Sequence, residues 1–274
     1  MQVKHFFSIL RPFNCVMAAF GAFIGFSIAS GQIQFNHAIG VAMLVAFLVC
    51  AGGMVINDYF DRHVDKRLHP GKPIPSGAVP AKAALAYSII LFIAGNILAL
   101  AFLPISSIAI ALAFTLLLVI YSAFLSRAKF LGNWVVAAGT AFTLVFGASI
   151  IGEYSVVLFF AAAALFANLS REVIKDSEDV EADKGFKKSL PMLLGHGCVC
   201  ALVFIYYLIA IAAVYFPVLL FSAEKPFFLM VVSAANWLFI LSLAKALERK
   251  FRKAQKISKI AMAIALVGFL AWVF

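Results

Sequence analysis

Long apolar runs alternate with short polar breaks along this chain, and each run has about the 20 residues a helix needs to cross a hydrocarbon layer. Reading the runs between breaks predicts nine spans, at residues 12–30, 37–59, 82–103, 105–125, 133–152, 155–175, 196–217, 226–246 and 258–274. Gly31, Pro104, Gly152 and Pro217 stand near the short turns after spans one, three, five and seven. The other connections are longer and charged. No length is left for a separate soluble domain. The expectation is one domain, residues 1–274, all-α and multi-pass, with nine transmembrane helices around one cavity.

Composition agrees with an integral membrane protein: 65% of residues are hydrophobic, 12% are charged and 29 are Phe. Cys15, Cys50, Cys198 and Cys200 lie in or beside apolar runs and form no Cys-x-x-Cys pair. They read as small apolar fillers, not as a disulfide framework or a zinc site. The N-terminus lacks the basic patch, short apolar core and cleavage site of a signal peptide, so the first helix is expected to stay in the mature protein.

Charge sets the orientation. With the N-terminus on the cytoplasmic side, 21 of the 22 Lys and Arg fall on cytoplasmic segments and only Lys225 falls outside. The formal charge of +10 is therefore mostly a topology signal, with attraction to anionic membrane lipids beside it. It indicates neither nucleic acid nor a protein partner. The basic stretch from Lys245 to Lys259 carries Leu247, Phe251 and Ile257, which suits a helix end at the interface.

The acids are distributed differently: nine of the twelve Asp and Glu sit in two short segments. In Asn57-Asp58-Tyr59-Phe60-Asp61-Arg62-His63-Val64-Asp65, the carboxylates of Asp58, Asp61 and Asp65 are spaced three and four apart, on one helix face about 60° wide. The spacing returns at Asp176, Asp179 and Asp183, and both copies end in Asp-Lys. One such face is ordinarily solvated and paired with nearby Lys and Arg. Two of them, 118 residues apart and leaving even-numbered spans, make a parallel repeat that puts both on one side of the membrane.

Carboxylates without His or Cys favour a hard cation held by oxygen, Mg²⁺ above all. Arg62, Lys66, Arg67, Lys72, Arg127, Lys129, Arg171 and Lys175 would repel the free ion but suit an anion bound with it, a phosphate or diphosphate. With apolar helix around it, the rest of that substrate should be hydrophobic, as in a polyprenyl diphosphate.

At these residues the chain resembles the UbiA superfamily of intramembrane prenyltransferases, nine-helix proteins with Asn-Asp-x-x-Asp-x-x-x-Asp and Asp-x-x-Asp-x-x-x-Asp motifs facing one cavity. The likeness extends to Arg11-Pro12-Phe13-Asn14, Lys72-Pro73-Ile74-Pro75-Ser76-Gly77, Tyr121-Ser122 and Gly132-Asn133. The segments beginning at Arg11 and Leu169 look most like the archaeal digeranylgeranylglyceryl phosphate synthase branch. That resemblance implies a prenyl diphosphate donor, geranylgeranyl diphosphate, and a lipid phosphate acceptor, geranylgeranylglyceryl phosphate.

It also implies roles. Asn57, Asp58, Asp61, Asp65, Asp176, Asp179 and Asp183 would hold Mg²⁺ on the donor diphosphate, and Lys129 with Arg62, Lys66 or Arg67 would neutralise the departing diphosphate. Tyr121 and Ser122 would touch the diphosphate or an allylic cation. Arg171 and Lys175, and similarly Arg11 and Asn14, would meet the acceptor phosphate. Two positions depart from the common pattern. Cys50 stands where aromatic-acceptor members often carry Arg, and Lys72 stands where Arg is common, keeping the charge without the bidentate fork. The alternatives are the same fold with an aromatic or tetrapyrrole acceptor and, from another class, a cation-coupled transporter. His63, His69 and His196 lack ligand spacing and receive no role.

Overall fold

The computed structural model describes residues 2–126, 129–180 and 189–274, and all the regular structure among them is helical. A short helix α1 (Gln2–Ile9) precedes α2 (Pro12–Ser30), α3 (His37–Leu68), α4 (Ala81–Phe102), α5 (Ile105–Ile120) and α6 (Lys129–Ala148). Then come α7 (Val157–Glu178), α8 (Leu190–Leu220), α9 (Pro226–Leu247) and α10 (Phe251–Ala271). Among the described residues nine helices, α2 to α10 with α5 running on to Leu125, are long and apolar enough to cross a membrane. α1 is an addition to the expected set; its Ile9 and the following Leu10 are buried against α3 and α4 residues, including Val55 and Ala84.

The span limits shift where a helix outlasts its apolar stretch. α3 continues nine residues beyond the expected end at 59, so the first acidic motif is helical throughout. The last helix starts at Phe251, seven residues before the expected 258, because the basic segment is a continuation of the span. The break before it is closed by Glu248, which accepts hydrogen bonds from Lys245 and Lys250; these two cations pull its carboxyl down to about 2.

Two features place the site. α2 and α6 cross with almost no side chain between them: a Cβ on Gly25 would lie 1.9 Å from the Leu144 carbonyl oxygen, and one on Gly147 would lie 1.8 Å from that of Ala22. Only glycine permits this approach, which is the way small residues bring helices together in membranes. At one end of the bundle Phe160 stacks on Phe269 at 4.7 Å and meets Phe228 and Trp272. Between this aromatic plug and the acidic ends of α3 and α7 lies a cavity of about 1220 Å³.

Candidate active site

The cavity is reached by one face of α3, on which Asn57, Asp61, Val64 and Leu68 recur at helical spacing. At about 100° per residue, Asp58 and Asp65 lie toward the edge of that face. Asp65 still lines the cavity, whereas Asp58 is buried and turns toward α2. There the Arg11 guanidinium donates to Asp58 Oδ1 at 2.6 Å. Arg11 occupies the left-handed region (φ 50°, ψ 63°) at the junction of α1 and α2, an unfavourable conformation for a side-chain-bearing residue, and it lines the cavity. The Lys72 ammonium bridges Asp65 Oδ2 at 2.7 Å and Asp58 Oδ1 at 3.6 Å.

Across the cavity, α7 presents Asn168, Arg171, Glu172, Lys175 and Asp176, with Asp179 capping its C-terminal end. Asp176 is buried and its Oδ2 accepts from the Asn133 amide of α6 at 2.8 Å. Glu172 is buried one turn earlier, ion-paired with Arg171 and, at 3.9 Å, with Lys175. Arg171 is also fixed by Asn168, whose Oδ1 accepts from its Nε at 2.9 Å. Tyr121 lines the cavity from the first turn of a π-helical segment, Tyr121–Leu125, where Ser126 N–H reaches back to the Tyr121 carbonyl. Such π turns are frequent at functional sites.

The predicted residues thus divide. Arg11, Asn14, Asn57, Asp61, Asp65, Lys72, Tyr121, Arg171, Lys175, Asp176 and Asp179 come together around one cavity. Asp58 reaches it only through Arg11 and Lys72. Arg62 stacks on the Tyr59 ring at 4.3 Å and donates to the Tyr59 carbonyl, and neither it nor Lys66 or Arg67 lines the cavity. Ser122 is buried outside the lining, its hydroxyl without a hydrogen-bond partner among the described residues. Arg127, Asp183 and the Lys129 side chain lie outside the described residues. Polar lining residues without a predicted role include Asn133, Asn168, Glu172, His69, Asn236, Gln255 and Lys259. Asn168 and Glu172 precede Asp176 by eight and four residues, a spacing signal visible in the sequence.

The donor set suits Mg²⁺. The Asn57 amide nitrogen donates to Asp61 Oδ2 at 3.1 Å, which leaves Asn57 Oδ1 buried with no hydrogen-bond partner among the described residues. Among the described residues no three His, Cys, Asp or Glu side chains converge closely enough to hold a metal by themselves. Mg²⁺ ordinarily takes one or two carboxylates and completes its octahedron with water and phosphate oxygens, so this arrangement fits an ion that arrives with a diphosphate.

Residues 18–269 match the model of the UbiA prenyltransferase family. The chain belongs to that family. It is similar to the digeranylgeranylglyceryl phosphate synthase of Thermococcus kodakarensis, 35% identical with 98% of each chain covered. The enzyme of that name from Pyrococcus abyssi is also 35% identical, over 98% of this family member and 97% of the relative. Among solved structures, a chain from work on the biosynthesis of digeranylgeranylglyceryl phosphate synthase in membranes superposes with a TM-score of 0.85. It is 29% identical, and the match covers 99% of this chain and 98% of that one. A UbiA homologue from Archaeoglobus fulgidus, bound to GPP and Mg²⁺, shares the fold with a TM-score of 0.69 at 19% identity, over 97% and 99% of the two chains. This chain is therefore a prenyltransferase with a multi-pass helical fold.

Proposed function

We propose that this prenyltransferase moves a geranylgeranyl group, in a Mg²⁺-dependent reaction, from geranylgeranyl diphosphate to the free hydroxyl of geranylgeranylglyceryl phosphate, forming the second ether bond of archaeal membrane lipids. One observation carries the chemistry: two carboxylate-bearing helix ends, on α3 and α7, oppose each other at one cavity that ends in an aromatic plug. The relatives named digeranylgeranylglyceryl phosphate synthase, matched over nearly their whole length, support the acceptor. The whole chain acts as one domain in the cell membrane, with the carboxylates on the cytoplasmic side as the Lys and Arg distribution directs.

In this reading Asn57, Asp58, Asp61 and Asp65 on α3, with Asp176 on α7 and Asp179 at its end, would hold the metal against the donor; until it binds, Arg11 and Lys72 neutralise Asp58 and Asp65. Mg²⁺ supplies positive charge that balances the charge growing on the leaving diphosphate. Arg11 and Lys72 turn from their carboxylates to the diphosphate oxygens and add to that charge. The allylic C–O bond breaks, and the apolar wall between α2, α6 and α10 keeps water from the allylic cation. The acceptor hydroxyl then attacks C1 of that cation and loses its proton to a carboxylate or to the released diphosphate.

The test is a purified-protein assay with geranylgeranyl diphosphate and Mg²⁺, offering geranylgeranylglyceryl phosphate against 4-hydroxybenzoate, with an Asp61→Asn plus Asp176→Asn variant as blank. Mg²⁺-dependent ether product, absent from the blank, is the expected result. Prenylated hydroxybenzoate alone would replace the acceptor while keeping the chemistry.

A further inference from the structure

α10 carries a cavity-facing stripe whose character changes along its length. Gln255 and Lys259 line the cavity one turn apart, followed on the same face by Met262, Leu266 and Phe269. Lys259 stands eight residues inside the helix, roughly 12 Å from its start at 1.5 Å per residue. It is the last cation before the helix turns apolar and, though exposed, it lines the cavity at that level.

The other described cations of the cavity are already occupied. Arg11 and Lys72 are paired with Asp58 and Asp65, and Arg171 and Lys175 with Glu172. Among the described residues no carboxylate is within ion-pair distance of Lys259. Its level in the bundle is also defined. Ala254 and Ala261 of α10 share a buried cluster with Leu169 and Val173 of α7, so the Gln255–Lys259 turn belongs to the packed contact between these two helices. The Asn57–Asp65 motif stands on α3, whereas α10 packs on α9, α7 and α2.

From this placement we propose that Lys259, with the Gln255 amide, binds the phosphate of the acceptor lipid, and that the apolar remainder of the α10 stripe receives its isoprenoid chain. The inference rests on the acceptor reading above and adds the residues that select for a phosphate-bearing acceptor. An ammonium meets a phosphate monoester as a mobile point charge, and the amide adds a directional donor. Holding this second anion on α10 keeps it off the metal and leaves the carboxylate pair to the donor diphosphate.

The experiment compares geranylgeranylglyceryl phosphate with its dephosphorylated analogue, geranylgeranylglycerol, as acceptors for the wild type, Lys259→Gln and Lys256→Gln. Lys256 is exposed, lies outside the cavity lining and serves as the control. Lys259→Gln is expected to raise KM for the phosphorylated acceptor by about 10- to 100-fold, the scale of a lost charge-assisted contact. KM for the donor and kcat/KM for geranylgeranylglycerol should stay at wild-type values, and Lys256→Gln should match the wild type throughout. An unchanged acceptor KM would mean that Lys259 only extends to the interface and would overturn the inference. An equal loss with both acceptors would assign it to packing, and a raised donor KM to the diphosphate; either result also overturns it. If the wild type forms no ether product with the phosphorylated acceptor, the acceptor reading itself fails and the inference falls with it.

Discussion

Asn133→Ala should lower kcat/KM for the prenyl diphosphate by about 10- to 100-fold without unfolding the bundle. The Asn133 amide donates to Asp176 Oδ2 at 2.8 Å, and both residues are buried, at 4% and 3% exposure. A hydrogen bond to a charged acceptor contributes about 1.5–3 kcal/mol, and about 1.4 kcal/mol is a factor of ten. Asp176 has further interactions of its own, which favours the lower half of that range. The loss arises because a carboxylate without the Asn133 amide is less firmly held in one direction, so the variant should need more Mg²⁺ to reach half-maximal rate.

The assay is steady-state turnover across a Mg²⁺ titration, run beside thermal unfolding in the same detergent. Asn133→Asp should be the more damaged variant, since it places a second negative charge against Asp176. A variant Asn133→Ala with wild-type kcat/KM and an unshifted Mg²⁺ midpoint would refute the reasoning, and would reduce the α6–α7 contact to packing.

Gly147→Ala should destabilise the protein by about 1–3 kcal/mol, because the new Cβ would meet the backbone of Ala22 and Phe26, which cannot rotate aside; an unchanged melting temperature would contradict the α2–α6 crossing. Phe269→Leu should shorten the aromatic plug and raise the relative kcat/KM for an acceptor whose chain is one isoprene unit longer, whereas an unaltered preference would remove Phe269 from the end of that chain's path. Treatment with EDTA should abolish turnover, and Mg²⁺ should restore it; activity that survives chelation would exclude the metal from the reaction.

The nine spans were legible because each is an apolar run of membrane length, a property of the residues alone. Their limits were less so: α3 and α10 extend as helix through charged turns, where hydropathy falls but the backbone bonding continues. The acidic face of α3 could be read from spacing, yet its rotation could not. Arg11, at the junction of α1 and α2, holds Asp58 away from the cavity while Asp61 and Asp65 stay in the lining. Lys259 was hidden for another reason. A lysine near the expected cytoplasmic end of a span satisfies the orientation rule, and only the packing of α10 on α7 gives it a cavity to face. Asn133 is a lone polar residue at the head of an apolar run, and its partner is 43 residues away.

The pairing of charges leads to the last expectation, that donor and metal bind cooperatively. Without ligand, Arg11 and Lys72 neutralise Asp58 and Asp65, two buried carboxylates. Mg²⁺ alone would enter a site where cations already hold two of the motif carboxylates. Diphosphate alone would draw those cations away and leave buried negative charge uncompensated, which costs several kcal/mol per ion. Arriving together, the metal takes carboxylates as the diphosphate takes the cations, and no charge is left bare. By linkage the factor by which Mg²⁺ tightens the donor must equal the factor by which donor tightens Mg²⁺, and about 10- to 100-fold is expected. Calorimetry with a non-hydrolysable geranylgeranyl diphosphate analogue, titrated with and without Mg²⁺ and then in the reverse order, measures both. A factor near one would show that Arg11 and Lys72 keep their carboxylates in the complex, and that the donor diphosphate is held by other groups.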